Sequence, residues 1–473
     1  MRMPPVVREG SFAILAASLP GCGPHLPPAQ SAAPAPAPTA AASAPPVAVA
    51  PPGLPAGIPD TPAGRQLAWV LRAMNSVPAE TDFAAHFSPE FLAIMPPAKL
   101  VTTAGQVVQG APYTLDKVSV SPASDRALVA LVRSSQGQAF HVHLTLERGG
   151  DRIQGLFIRP YVDARIANSW DEVAETLRAV APSVNFLAAE IGEKKCVPIM
   201  SIEPRKPLAL GSTFKLYVLD TLARQIASGK VGWDEPIAID DAYKSLPSGD
   251  MRSEPAGRTF SVRHFAEQMI SVSDNTATDH MIAFVGRAAI EDAVKASGHA
   301  TPSRLVPFLS TRELFALKLL ASADERSAYV AADVPHKRQL LDGYGKRDPA
   351  DMLARLSSFT APTMIDSLEW YASPEDLCMV MIDLHERARS AAAAPVGPIL
   401  SINPGLRDEK GQYRYIGFKG GSEPGVVNMT FLLQRARDDK WLFLTAGYND
   451  TNAPIREHDA IAAVTTALEF FGR

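Results

Sequence analysis

A serine and a lysine stand three residues apart in Gly211-Ser212-Thr213-Phe214-Lys215. Behind them, to about Ser228, come Leu216, Tyr217, Val218, Leu219, Leu222, Ala223 and Ile226, apolar almost all round. That pattern predicts a helix sheathed by other structure. Ser212 then sits where a turn becomes the helix, and Lys215 shares its face one turn on. Burial disfavours an ammonium and lowers its pKa. A neutral Lys215 can take the proton from Ser212, and a helix N-terminus favours the negative charge that develops. A lone S-x-x-K is as readily a helix cap followed by a surface lysine, so other residues must decide.

Two further groups follow in order. Ser273-Asp274-Asn275 is the only S-D-N of the chain, as Ser212 to Lys215 is its only S-x-x-K. It lies between a helical stretch at 262–270 and a helix starting at Thr276; alone it reads as a helix cap. Lys419-Gly420-Gly421-Ser422 falls between strand-like runs at 413–418 and 426–434, and alone Lys419 to Pro424 reads as a hairpin turn. Such an ordered set, S-x-x-K then S-D-N then a lysine–glycine triplet, marks class A β-lactamases and penicillin-binding proteins.

Residues from about 180 to the end therefore resemble the serine β-lactamase and penicillin-binding-protein superfamily, class A above all. Ser212 to Lys215 reads S-T-F-K, and Met269 to Ala277 is similar to the family's second motif. The layout as a whole is similar to two-domain β-lactamase-like proteins typified by one from the clavulanic-acid cluster, which also carry K-G-G-S. The resemblance implies Ser212 as nucleophile, Lys215 as its base and Ser273 as proton relay to the leaving nitrogen. It implies Asn275 on the substrate amide and Lys419 attracting the substrate carboxylate. The N–H groups of Ser212 and Ser422 would form the oxyanion hole, with Gly420 and Gly421 beside the substrate.

Two departures stand out. Gly420 replaces the hydroxyl residue usual after the third-motif lysine. The E-x-x-L-N segment that supplies the class A deacylating glutamate is missing from the sequence. Glu313 is the first candidate to replace it, because Ser310-Thr311-Arg312-Glu313 falls after the second motif, with Glu254 and Glu369 behind. Acylation chemistry is expected; fast hydrolysis of the acyl-enzyme is not. The implied function is a serine hydrolase acylated by a β-lactam or a related amide or ester. The alternatives are a D-alanyl peptidase or esterase, and a non-catalytic binding protein.

The chain that positions these residues has 473 residues, 46% hydrophobic and 20% charged, with a net charge of -4. Its length suggests two or three domains, and its charge offers no footprint for nucleic acid. Three cysteines, Cys22, Cys196 and Cys378, are too few for a disulfide framework. No C-x-x-C or H-E-x-x-H occurs, so neither metal nor other cofactor is expected.

Residues 1–22 read as an export signal: Arg2 and Arg8, an apolar run, then Pro20-Gly21-Cys22. The ending resembles a bacterial lipoprotein signal, with Cys22 lipidated and the chain tethered in the periplasm or cell envelope. A leader with an incidental cysteine is the other reading. Residues 23–59 lack Asp, Glu, Lys and Arg, and thirteen of the 41 prolines lie between Pro24 and Pro62. That composition makes an extended tether, and no membrane span.

Residues 61–162 are expected to form a small α+β, isomerase-like cone: helices near 62–74 and 82–94, then a four-stranded meander over 113–158. His141 and His143 alternate with apolar residues and should face away from its core. Residues 163–473 should form one antiparallel sheet with helices on both faces. Within them, 322–365 is mixed and charged and reads as an insertion or mobile lid.

Overall fold

The computed structural model describes residues 54–473 apart from 122–123, 148, 162–164, 407 and 409. Residues 1–53, with the expected signal, Cys22 and most of the proline-rich tract, lie outside the described residues. The chain divides into two compact units, 1–163 and 164–473.

The first unit opens with α1 (Pro62–Asn75), α2 (Glu80–His86), α3 (Pro89–Ile94) and α4 (Pro97–Val107). Thr61 caps α1, its hydroxyl accepting from Gly64 N at 3.0 Å. The single helix expected near 82–94 is two, because Pro89 cannot continue the first; it starts α3 instead, at the N1 position. Four strands follow as an antiparallel meander: β1 (Thr114–Ser121), β2 (Ser124–Arg133), β3 (Ala139–Leu146) and β4 (Ile153–Tyr161). Phe140, Val142 and Leu144 of β3 enter the core. His141 and His143 therefore take the other face, as the alternation requires, although His143 is itself buried.

In the second unit α5 (Trp170–Arg178) leads to the hairpin β5 (Ser183–Gly192) and β6 (Lys195–Ile202), then the short β7 (Leu208–Ala209). Next comes α6 (Lys215–Ala227), then the small ribbon β8 (Pro236–Ala238) and β9 (Thr259–Ser261). The helical layer continues with α7 (Val262–Ser271), α8 (Asn275–Val285), α9 (Arg287–Ala296) and α10 (Thr311–Leu320). Residues 322–365 are not a loose lid. They carry α11 (Ala323–Ala331), α12 (Val334–Tyr344) and α13 (Pro349–Leu356), and Tyr329, Leu341, Tyr344 and Met352 pin them into the main core. The stretch is rich in charged residues, so its composition hid the helices that carry these side chains.

The chain then forms β10 (Tyr371–Ala372), α14 (Pro374–Ala388) and α15 (Val396–Ser401). The end is β11 (Tyr413–Glu423), β12 (Val426–Arg435), β13 (Trp441–Asn449) and α16 (Glu457–Gly472). Five strands make one antiparallel sheet in the order β11-β12-β13-β5-β6. One face packs on α5 and α16 through residues such as Phe186, Phe431 and Val464. The other meets the helical layer through Leu187, Leu432 and Phe443.

Two corrections concern this unit. Lys419 to Ser422 is strand, not turn: Lys419 pairs with Thr430, Gly420 with Met429 and Gly421 with Asn428. Glycines are poor strand formers, so the local signal favoured a turn, but pairing with β12 decides. The turn shrinks to Pro424-Gly425. Secondly, Cys196 of β6 and Cys378 of α14 form a disulfide across 182 residues, a pairing that cysteine counting could not give.

Candidate active site

Ser212 lies on a single 3-10 turn, Gly211–Phe214, which runs directly into α6. Gly211 takes φ +50 there, and a Cβ on it would sit 2.9 Å from Ser422 N. Gly421 meets the same turn from β11: a Cβ on it would overlap Leu210 O and Ser212 N and lie 2.6 Å from Thr213 N. The two glycines thus let the backbones of Ser212 and Ser422 come together, as an oxyanion hole requires.

Lys215 is completely buried and Lys419 nearly so. Lys215 Nζ donates to Ser273 O at 2.7 Å and Asn275 Oδ1 at 2.6 Å, and lies 3.0 Å from Ser273 Oγ. Lys419 Nζ lies 3.0 Å from the same hydroxyl and donates to Gly420 O at 2.5 Å. Burial drives Lys215 well below an ordinary lysine, and the neighbouring Lys419 charge drives it further. Burial also pulls Lys419 down to about 7. Two ammonium groups sharing one hydroxyl repel, so the first proton leaves easily. With Lys215 neutral, Ser273 Oγ can donate to its lone pair while accepting from Lys419.

The S-D-N loop is held in an unusual backbone. Ser273 has φ +58, uncommon for a serine. Its carbonyl accepts from Lys215 and from Ser248 Oγ at 2.6 Å. Asp274 is fully buried; it caps α8 through Ala277 N at 2.7 Å and binds Met251 N at 2.9 Å. Gly249, at φ +86, lies so close that any Cβ would overlap the Asp274 carboxylate. Asn275 donates from Nδ2 to Leu246 O at 2.5 Å, which uses one of its two amide N–H groups. Ser212, Ser273 and Ser422 reach solvent above the buried lysines.

The structure thus brings together Ser212, Lys215, Ser273, Asn275, Lys419, Gly421 and Ser422. Gly420 points to the opposite face, where a Cβ would meet the Phe418 ring at 2.7 Å. Glu313 is not brought in, which corrects its expected role. It closes a capping box, Oε2 accepting from Ser310 N at 2.8 Å, while Oε1 accepts from Arg287 at 2.5 Å. Glu254 pairs with Arg258 at 2.5 Å, and Glu369 joins a buried cluster with Lys318.

Sequence reasoning missed the residues that support the site. Asp279, one turn after Asn275 on α8, is buried and binds the start of α10: Thr311 N and Oγ1 at 2.8 Å, Arg312 N at 2.9 Å. Burial pushes its carboxyl up to about 7. Thr311 Oγ1 in turn lies 3.3 Å from Asn275 O and 2.7 Å from Ser245 Oγ. The i, i+4 spacing of Asn275 and Asp279 was the available signal.

The model of a β-lactamase enzyme family matches residues 169–368, and that of the ORF 12 gene product N-terminal region matches 58–151. No curated protein matches the chain. Among solved structures, the chain is similar to a β-lactamase from Sphaerobacter thermophilus, at 19% identity over 64% of this chain and 98% of that one, TM-score 0.45. It is similar to a β-lactamase from Chitinophaga pinensis, at 13% identity over 64% and 98%, TM-score 0.45. It is also similar to a PBP-A mutant in an acyl-enzyme complex with penicillin G, at 14% identity over 64% and 97%, TM-score 0.41. The serine–lysine turn and the S-D-N loop both fall inside residues 169–368, the part of the chain that matches the β-lactamase enzyme family.

Proposed function

We propose that the chain is an exported serine hydrolase acylated at Ser212 by a β-lactam or a related amide or ester. The observation that carries this is the meeting of two buried lysines on Ser273 Oγ, beside a serine whose backbone lies against the Gly421 strand. Neutral Lys215 takes the Ser212 proton as Oγ attacks the carbonyl. The N–H groups of Ser212 and Ser422 hold the oxyanion. Ser273 passes a proton to the leaving nitrogen, and Lys419 attracts the substrate carboxylate.

Hydrolysis of the ester is the slow half. The carboxylates whose charge reaches Lys215 are Asp274 and Asp279. Both are already bound to backbone N–H groups, so neither is poised to activate water. Titration with a fluorescent penicillin should give a burst equal to the enzyme concentration, then a slow steady state, with the adduct on Ser212 visible by intact mass. Glu313→Gln should lower the melting temperature and leave the adduct lifetime unchanged. Turnover without a burst sinks slow deacylation, a lifetime lengthened in Glu313→Gln restores that residue as the base, and no labelling favours the binding-protein alternative. A stable adduct favours the D-alanyl peptidase or esterase alternative over a β-lactamase.

Export has separate support. Disulfides persist mainly in oxidising compartments, and Cys196–Cys378 is one. If Cys22 is the lipidated N-terminus, the mature protein begins there and partitions into detergent. An N-terminal sequence that starts at Met1 rules the anchor out.

A further inference from the structure

A second cluster of buried charge lies outside the groups just described. Lys318 of α10 contacts Glu369 Oε1 at 3.3 Å and also Glu423 Oε1, and the side chains are 0%, 0% and 5% exposed. Glu369 is also one of the neighbours that raise the Glu423 carboxyl.

The backbone gives this cluster its interest. Glu369 Oε2 accepts from Trp370 N at 2.8 Å. Trp370 O accepts from Leu210 N at 3.0 Å, and the Trp370 ring stacks on Phe214 at 3.7 Å and 13°. Leu210 and Phe214 bracket the Ser212 turn. Glu423 follows Ser422 directly on β11. One carboxyl is thus tied to the segment that holds Ser212 N and the other to the strand that holds Ser422 N, with Lys318 between them. We propose that Lys318, Glu369 and Glu423 form a buried clamp that sets the two donor halves of the oxyanion hole against each other. The clamp rests on the reading of Ser212 as nucleophile.

Its charge state controls it. One ammonium between two carboxylates leaves a net negative charge with no solvent to spread it, so the carboxyl pair retains one proton. Burial pushes Glu423 up to about 8, against the pull of Lys318. Among the described residues, the other charged or titratable groups nearby are Tyr371 of β10 and its neighbours Arg304 and Asp366. When the proton leaves, Glu369 and Glu423 repel and the two halves of the hole separate. Glu423 and Glu369 are positioning residues, since neither touches substrate.

The test uses the full chain and a fluorescent penicillin, following the acylation rate of Ser212 from pH 6 to 10. Wild type should show a fall in rate through about pH 8 that Glu423→Gln, fixed in the neutral form, lacks. A fall caused by Lys419 would persist in both. Lys318→Met should slow acylation at pH 7 by roughly a hundredfold while leaving noncovalent affinity in place, because small misplacements cost rate more than binding. Superimposable pH profiles for wild type and Glu423→Gln overturn the clamp, even if Lys318→Met fails to fold.

Melting curves separate this failure from failure of the hydrolase reading. The folded value of Glu423 lies above the unfolded 4.5, so its stabilising effect is full below 4.5 and lost as pH rises to about 8. Wild type should lose melting temperature relative to Glu423→Gln across that window. If Ser212 never labels but the melting temperatures diverge, the hydrolase reading fails and the charge cluster stands. If they do not diverge, the clamp fails.

Discussion

Ser212→Ala abolishes covalent labelling by penicillin-type and fluorophosphonate probes. The expectation rests on position rather than on serine chemistry in general, since several serines are near. Ser273 Oγ touches both lysines and is the obvious rival nucleophile. It is held between two buried amines, which suits it to pass protons on. Ser212 instead lies on the 3-10 turn that leads into α6, has its backbone against Gly421, and comes one turn before a lysine that burial and the Lys419 charge both push toward the neutral form. A neutral lysine is the species that can accept a proton, so labelling should persist at neutral pH and weaken as acid recharges Lys215. Intact mass and peptide mapping decide the point. A variant that still labels, on Ser273 or elsewhere, sinks Ser212 as the nucleophile.

Gly421→Ala should slow acylation by about 10²–10³, the loss expected on removal of an oxyanion-hole donor. The new methyl group would meet backbone on three sides: Leu210 O, Ser212 N and Thr213 N. None of these can swing away as a side-chain tip can. β11 and the nucleophile turn must part, and the N–H groups of Ser212 and Ser422 part with them. By contrast, a Cβ at Gly420 meets mainly the far edge of the Phe418 ring, which can shift, so Gly420→Ala is the matched control. The measurement is the acylation rate, with a melting curve to show that both variants fold. Wild-type labelling by Gly421→Ala would mean that the hole is not built where these strands meet.

Much of the site was legible in the sequence because its parts are local. The Ser212 turn and the apolar helix behind it follow from 3.6-residue periodicity, and α6 ends where Ser228 suggested. The meander of the first unit followed from period-two alternation, and the sheet with helices on both faces from element order. What resisted reading was set by partners distant in the chain. Lys419 to Ser422 became strand because β12 pairs with it. Cys196 found Cys378 only when β6 met α14.

The sequence by itself determined which residues could do chemistry and in what order they come. Tertiary structure decided which of them are free to do it. Glu313 stood in the right interval, yet a carboxylate at N3 of a helix, facing its own cap and Arg287, has both oxygens engaged there. Lys318 and Glu423 stood out in no sequence pattern, and Glu369 only as a spare candidate base; burial made the three a cluster. Hydrogen-bond satisfaction and desolvation are properties of the assembled neighbourhood, since each depends on atoms that spacing along the chain does not fix.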